Sequence, residues 1–313
     1  MNKREVMFSL LELQTQPEYI PAAFFLHFDP SFRRGLAAIE KHLEFFRFTG
    51  MDFVKIQYEH AFPPNPELTN PADWKRQPKY NEDFFEEPLR VVEGLVKAAK
   101  AEALVIVTLY SPFMIAGQIN GQETITRHIL EAPLKAKLGL EIITESMLVF
   151  VKGCIKLGVD GFYTSTQGAE TFRFPSFEPF LECIKPYDLV VMNEVNQACH
   201  FNILHVCDYH GGYHDLTPVL DYPGQIVNCS LNFPDGPRKA SEVVALFGRP
   251  FMGGMERKGV IANGSKEEVV SEVQRVLRHA PAKFVLAADC TVPGETPWSN
   301  LQAAIQAAHD FRP

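Results

Sequence analysis

The chain has 313 residues, 46% apolar and 22% charged, a balance that fits a globular protein of one large domain or two ordinary ones. Its 30 Lys and Arg against 38 Asp and Glu give a formal charge of −8 with no basic stripe, which argues against nucleic-acid binding. No run of 18 apolar residues occurs, so no membrane span is predicted.

The opening stretch, MNKREVMFSLLELQTQPEY, lacks a proper h-region and a small-residue cleavage site. No signal peptide is predicted, and a cytoplasmic location is expected. Eight β-rich runs then alternate with helical patterns. PAAFFLH (21–27) is followed by an amphipathic stretch, 34–49. DFVKIQ (52–57) leads into a Pro/Asn-rich segment, 61–78, that reads as a βα loop, and then a helix near 83–100. ALVIVTL (103–109) precedes a long helical pattern over 123–157. VDGFYTS (159–165) precedes a helix near 176–198. Within it, DLVVMNEV (188–195) has strand-like composition, but a strand there would put two strands in succession. NILHVC (202–207), QIVNCS (225–230), PFMGGM (250–255) and KFVLAA (283–288) complete the series. Ser265 and Glu268 form a capping-box pattern. Thr296 followed by Pro297 reads as an N-cap with proline at the first helical position.

Strands alternating with helices predict a parallel sheet. Eight repeats in this length match a (β/α)₈ TIM barrel in a single domain, 1–313, with 1–20 as an N-terminal extension. A doubly wound open sheet is the runner-up, without the G-x-G-x-x-G of a dinucleotide site.

Active sites of such barrels lie at the C-terminal strand ends. The predicted ends supply His27 and Asp29; Tyr58, Glu59 and His60; Thr164 to Gln167; His205, Cys207 and Asp208; Asn228 and Cys229; Met255 and Glu256; and Asp289 and Cys290. His205 and Cys207 are two apart, so on a strand they share a side. A lone H-x-C pair on a buried strand is more often packing than ligation. Cys290, ending the eighth strand, falls on the same rim and completes a set of one imidazole and two thiols. That set suits zinc, and three protein ligands leave a position for substrate. Two thiolates balance the ion's charge, which favours making a thiolate nucleophile over hydrolysis. Gly211 and Gly212 argue against a helical pairing of His210 with His214, so both are read as loop histidines. Cys154, Cys183, Cys199 and Cys229 are read as packing residues.

Six stretches resemble the uroporphyrinogen decarboxylase superfamily in order and spacing: GMDFVKI (50–56), SPFMIAGQING (111–121), GVDGFYTSTQG (158–168), NILHVCDY (202–209), and the segments 250–269 and 284–308. The resemblance implies a (β/α)₈ barrel. The decarboxylase branch carries R-Q-A-G-R at strand one, where this chain reads FFLHFDPSFRRG; Arg33 and Arg34 are present without the motif. Glu59 stands where decarboxylases place a catalytic aspartate. The other branch comprises corrinoid-dependent methyltransferases, whose H-x-C and distant third cysteine bind zinc; His205, Cys207 and Cys290 match that pattern. Cobalamin-independent methionine synthase, a more distant relative, uses a similar set.

The resemblance implies a zinc-dependent methyltransferase acting between a small methyl donor or acceptor and a separate corrinoid protein. No corrinoid-binding domain is recognised in the chain. Glu59 and Asp289 are candidate catalytic carboxylates, either of them able to close the fourth metal position. Asp208 is a candidate acceptor for the ligating histidine, or else caps its turn. Tyr58, Gln167 and Asn228 are expected to line the substrate pocket. A homodimer is expected. The alternatives are a metal-free decarboxylase of tetrapyrroles and a non-catalytic binding barrel.

Overall fold

A computed structural model of the chain describes residues 2–12, 19–57 and 62–312. Tyr58, Glu59 and His60 lie outside the described residues. The main strands are β1 (Phe53–Ile56), β2 (Leu104–Tyr110), β3 (Gly161–Thr166), β4 (Ile203–Val206) and β5 (Ile226–Cys229). A small antiparallel hairpin, β6 (Asn232–Phe233) with β7 (Gly236–Pro237), comes next and was not foreseen. β8 (Phe251–Met255) and β9 (Phe284–Ala288) finish the set. Seven strands pair in parallel in the order β1-β2-β3-β4-β5-β8-β9. Their residues are buried almost throughout, as expected where helices cover one face and the barrel interior the other.

The predicted first strand, 21–27, is the closing seam. It makes two isolated parallel bridges, Ala22 to Leu286 and Leu26 to Val292, in place of a continuous ladder. On the other side the Asp52 N–H donates to the Ala22 carbonyl at 3.1 Å. Behind the seam the buried Lys55 ammonium sits 4.4 Å from the Phe25 ring centroid. With this segment the sheet forms the eight-membered wall of a (β/α)₈ barrel, in one domain.

The helices Gly35–Thr49 and Glu82–Ala99 fall where the periodicity puts them. The first ends on Gly50 at φ 75°, a left-handed turn that glycine adopts without a Cβ penalty. Two long patterns split. The stretch 123–157 becomes Gln122–Glu131 and Pro133–Leu157, because Pro133 has no N–H to continue the first helix. The stretch 176–198 becomes Glu178–Cys183 and Lys185–Ala198, broken just ahead of Pro186. DLVVMNEV is helical, as topology required. The capping box of Ser265 and Glu268 is present. The last helix starts one residue later than its sequence pattern indicates, at Trp298. Pro297 has a ψ of 124°, outside the helix, and the buried Thr296 hydroxyl caps nothing.

The first residues are part of the barrel's packing. The helix Lys3–Ser9 seats Val6 and Met7 fully buried and contacts β1 and β2. Among the described residues no helix is long and apolar enough to cross a membrane.

Candidate metal centre

Strand register brings the chemistry together. β3 aligns Ser165 with His205, and β5 aligns Asn228 with His205, so these side chains share the inner layer. Cys207 follows β4, its N–H donating to the Thr166 carbonyl at 3.1 Å. Cys290 follows β9, where the Asp289 N–H donates to the Met255 carbonyl at 2.9 Å. One ring nitrogen of His205 and the sulfurs of Cys207 and Cys290 all lie within 4.8 Å of one another, and all three residues are buried. Met114 and Tyr110 pack against the two cysteines. Met114 comes from the helix Pro112–Asn120, which the sequence pattern did not reveal.

The two sulfurs are neighbours, and their mutual interaction holds Cys207 well above the usual thiol range and Cys290 well below it. Burial also raises Cys207, and the neighbouring His205 and Arg257 also favour the Cys290 thiolate. Gln167 Nε2 donates to Cys207 Sγ at 3.3 Å. His205 Nδ1 is buried with no hydrogen-bond partner among the described residues. An orphaned imidazole nitrogen beside two buried cysteine sulfurs is a donor set with the chemistry to hold a cation. It fits zinc, with imidazole and two thiolates as ligands.

Around this group the expected residues divide. Gln167 lines the cavity, and its carbonyl accepts from Gln122 Nε2 at 3.3 Å. Asn228 does not line it. Its Nδ2 donates to the Met252 and Ala288 carbonyls at 2.9 and 3.1 Å, and its Oδ1 accepts from the Tyr163 O–H at 2.5 Å. Every polar atom of Asn228 is therefore consumed inside the wall. It acts on the site through Tyr163, whose ring stacks on His205 at 4.9 Å between centroids.

Asp289 stands beside the donor group without joining it. Its Oδ1 accepts the Arg257 backbone N–H at 2.9 Å, and Oδ2 lies 3.6 Å from the Arg257 guanidinium. Burial pushes this carboxyl up to about 6, against the pull of Arg257. Asp208 likewise serves neither as a histidine acceptor nor as a side-chain turn cap: it pairs with Arg257 at 2.5 Å. Burial works against the Arg257 charge, and Asp208, Cys290 and Asp289 more than restore it. Arg257 thus clamps the residue after Cys207 to the residue before Cys290. It was missed in the sequence, although it sits one residue beyond Glu256 on the same predicted rim.

The donor group opens into a cavity of about 950 Å³. His27, Arg33, Lys55, Arg173 and His210 contribute to its wall. Arg173 forms a buried pair with Glu170 at 2.7 Å, a second feature the sequence did not suggest. His214 lies outside this wall; its N–H donates to Thr171 Oγ1 at 3.0 Å. All six cysteines are free and buried.

The chain belongs to the uroporphyrinogen decarboxylase (URO-D) family, whose model matches residues 49–311. It is 23% identical over 254 residues to the methylated-thiol–coenzyme M methyltransferase of Methanosarcina mazei. That match covers 79% of this chain and 66% of the relative, so it spans just under two thirds of that protein's length. Among solved structures, a methyltransferase from Methanosarcina mazei superposes with a TM-score of 0.76 at 14% identity, covering 99% of both chains. The B12-independent methionine synthase of Shewanella sp. W3-18-1 gives 0.55 at 13% identity, covering 93% of this chain and 97% of that one. At these identities the structural likenesses speak for the barrel fold.

Proposed function

We propose that this chain is a zinc-dependent methyltransferase that moves a methyl group between a small substrate and the cobalt of a separate corrinoid protein. The observation that carries the reading is the grouping of His205, Cys207 and Cys290 at the base of an open cavity. These three residues would hold the ion and leave a position for substrate. When bound, zinc lowers the pKa of a coordinated thiol, while two thiolate ligands keep that sulfur electron-rich.

The chain's own groups prepare the site. Gln167 gives a hydrogen bond to the Cys207 sulfur and favours its anion. Tyr163, fixed by Asn228, holds the plane of the His205 ring. Arg257 pairs closely with Asp208 and stands 3.6 Å from Asp289, so one guanidinium serves both carboxylates beside the sulfurs. The cavity admits a small molecule to the sulfurs. Tyr58 and Glu59, which follow β1 in the chain, enter this reading as substrate-side groups, with Glu59 orienting the substrate or carrying its proton. Asp289 enters as the carboxylate neighbouring Cys290. The methyltransferase relatives support the class of reaction, and a methylated thiol is the substrate type that one of them is named for.

Two measurements test the proposal. Purified without added metal, the chain is expected to carry about one zinc ion. It is also expected to transfer the methyl group of methylcobalamin to a thiol such as 2-mercaptoethanesulfonate. A metal-free chain that gains no activity when zinc is supplied, or a zinc-loaded chain inactive with a panel of small thiols, would overturn it.

A further inference from the structure

Asp188 lies on the helix Lys185–Ala198, outside the barrel wall, and is fully buried. Its Oδ2 accepts from Thr166 Oγ1 at 2.7 Å and from the Tyr222 O–H at 3.0 Å. The Ser111 hydroxyl lies beside it. Its Oδ1 is buried without a partner, and no salt bridge reaches it among the described residues. A buried carboxyl without a cation is an expensive way to fill a helix–sheet contact. Its three neighbours share a destination.

Each neighbour belongs to a segment that also touches Cys207. The Thr166 carbonyl takes the Cys207 N–H at 3.1 Å, and the next residue, Gln167, donates to the Cys207 sulfur. Ser111 caps the helix Pro112–Asn120 by accepting the Met114 N–H at 3.3 Å, and Met114 packs on Cys207 and Cys290. Tyr222 lies in the connection from β4 to β5, where the Tyr213 O–H donates to the Cys207 carbonyl at 3.0 Å. Three separate chain segments thus meet at one carboxyl on the outside and at one residue, Cys207, on the inside.

We propose that Asp188 is a positioning residue for this centre: it ties the ends of β2, β3 and the β4–β5 connection and so fixes the Cys207 sulfur against Cys290. Its consequence for metal binding rests on the zinc reading above; its effect on Cys207 does not.

The test compares Asp188→Ala, Asp188→Asn and Thr166→Val in the full chain, with two readouts. In metal-free protein, iodoacetamide labelling of Cys207 and Cys290 is followed by peptide mass spectrometry. In parallel, cobalt(II) is titrated while its thiolate-to-metal absorption is recorded, and zinc affinity is measured against a chelator. Asp188→Ala is expected to label several-fold faster at Cys207 and to bind either ion about tenfold more weakly, with a shifted cobalt spectrum. Asp188→Asn keeps an acceptor for Thr166 and Tyr222 and is expected to stay near wild type. Thr166→Val is expected to fall between them, and it carries the test if Asp188→Ala does not fold. A purely stabilising role would lower the melting temperature and leave labelling ratio, spectrum and affinity unchanged; that result in folded variants overturns the proposal. If the wild type binds neither ion, the zinc reading fails, and the labelling contrast still decides the role of Asp188.

Discussion

At the N-terminal end of the barrel, the fully buried Asp52 has both oxygens in use. Oδ1 accepts from the Tyr19 O–H at 2.7 Å, and Oδ2 accepts from the Ala22 N–H at 2.7 Å and His309 Nε2 at 2.8 Å. Lys3 adds a cation 3.6 Å away. At the C-terminal end, His205 Nδ1 and Arg257 Nε are both buried without a partner among the described residues. Two buried sulfurs adjoin there, and Asp289 sits at about 6 because burial outweighs its cation. The first cluster is closed: it joins the seam, β1 and the last helix, and needs nothing more. The second leaves polar nitrogens unpaired, and its His205 lines the cavity. Buried polar groups cost free energy unless paired, which is the contrast that the zinc proposal rests on.

Variants can break this contrast in sequence of effect. Cys290→Ser removes a ligand from the open end. Zinc per chain should fall to near zero by elemental analysis, and methyl transfer should drop by more than about 100-fold, while the melting temperature of the metal-free protein stays close to wild type. Asp52→Ala breaks the closed end. Denaturant unfolding should show a loss of about 3 kcal/mol, because the cations and donors around the site lose their acceptor, while zinc per folded chain is unchanged. If Asp52→Ala also empties the metal site, the two ends are not independent.

Asp188 adds a pH signature. Burial pushes its carboxyl from 3.8 up to about 7. Between those values the folded chain holds a proton that the unfolded chain releases, so this group's stabilising contribution is complete below the lower value. It is lost as pH rises through the upper one. Asp188→Asn should flatten the fall in stability between pH 5 and pH 8, measured by denaturant unfolding at each pH. Gln167→Leu should weaken zinc about tenfold in a chelator competition, with little change in unfolding, since it removes one hydrogen bond to Cys207. The smallest effect belongs to Ser265→Ala, far from either end. It should cost about 1 kcal/mol through loss of the helix cap and leave the metal site untouched.

Much of the fold was legible because strand and helix periods differ and the runs alternate eight times along the chain. The splits at Pro133 and Pro186 were written in the sequence too, but a continuous apolar stripe hid them. The helix Pro112–Asn120 was missed because it is apolar nearly all round and shows no amphipathic stripe. The grouping of His205, Cys207 and Cys290 was legible from one geometric rule, that strand ends of a barrel share a rim. That rule placed Cys290 beside Cys207, 83 residues earlier in the chain, and His205.

The amino-acid sequence by itself determined the order of elements, the barrel and the identity of three donor residues, because residue type and spacing encode those directly. Only the tertiary structure decided what surrounds them. Arg257 engages Asp208 and Asp289, Asn228 spends its polar atoms inside the wall, and Asp188 reaches Cys207 through Thr166 and Ser111. Each of those outcomes is a competition among donors and acceptors distant in sequence. Its result depends on ångström-scale distances that no local pattern records.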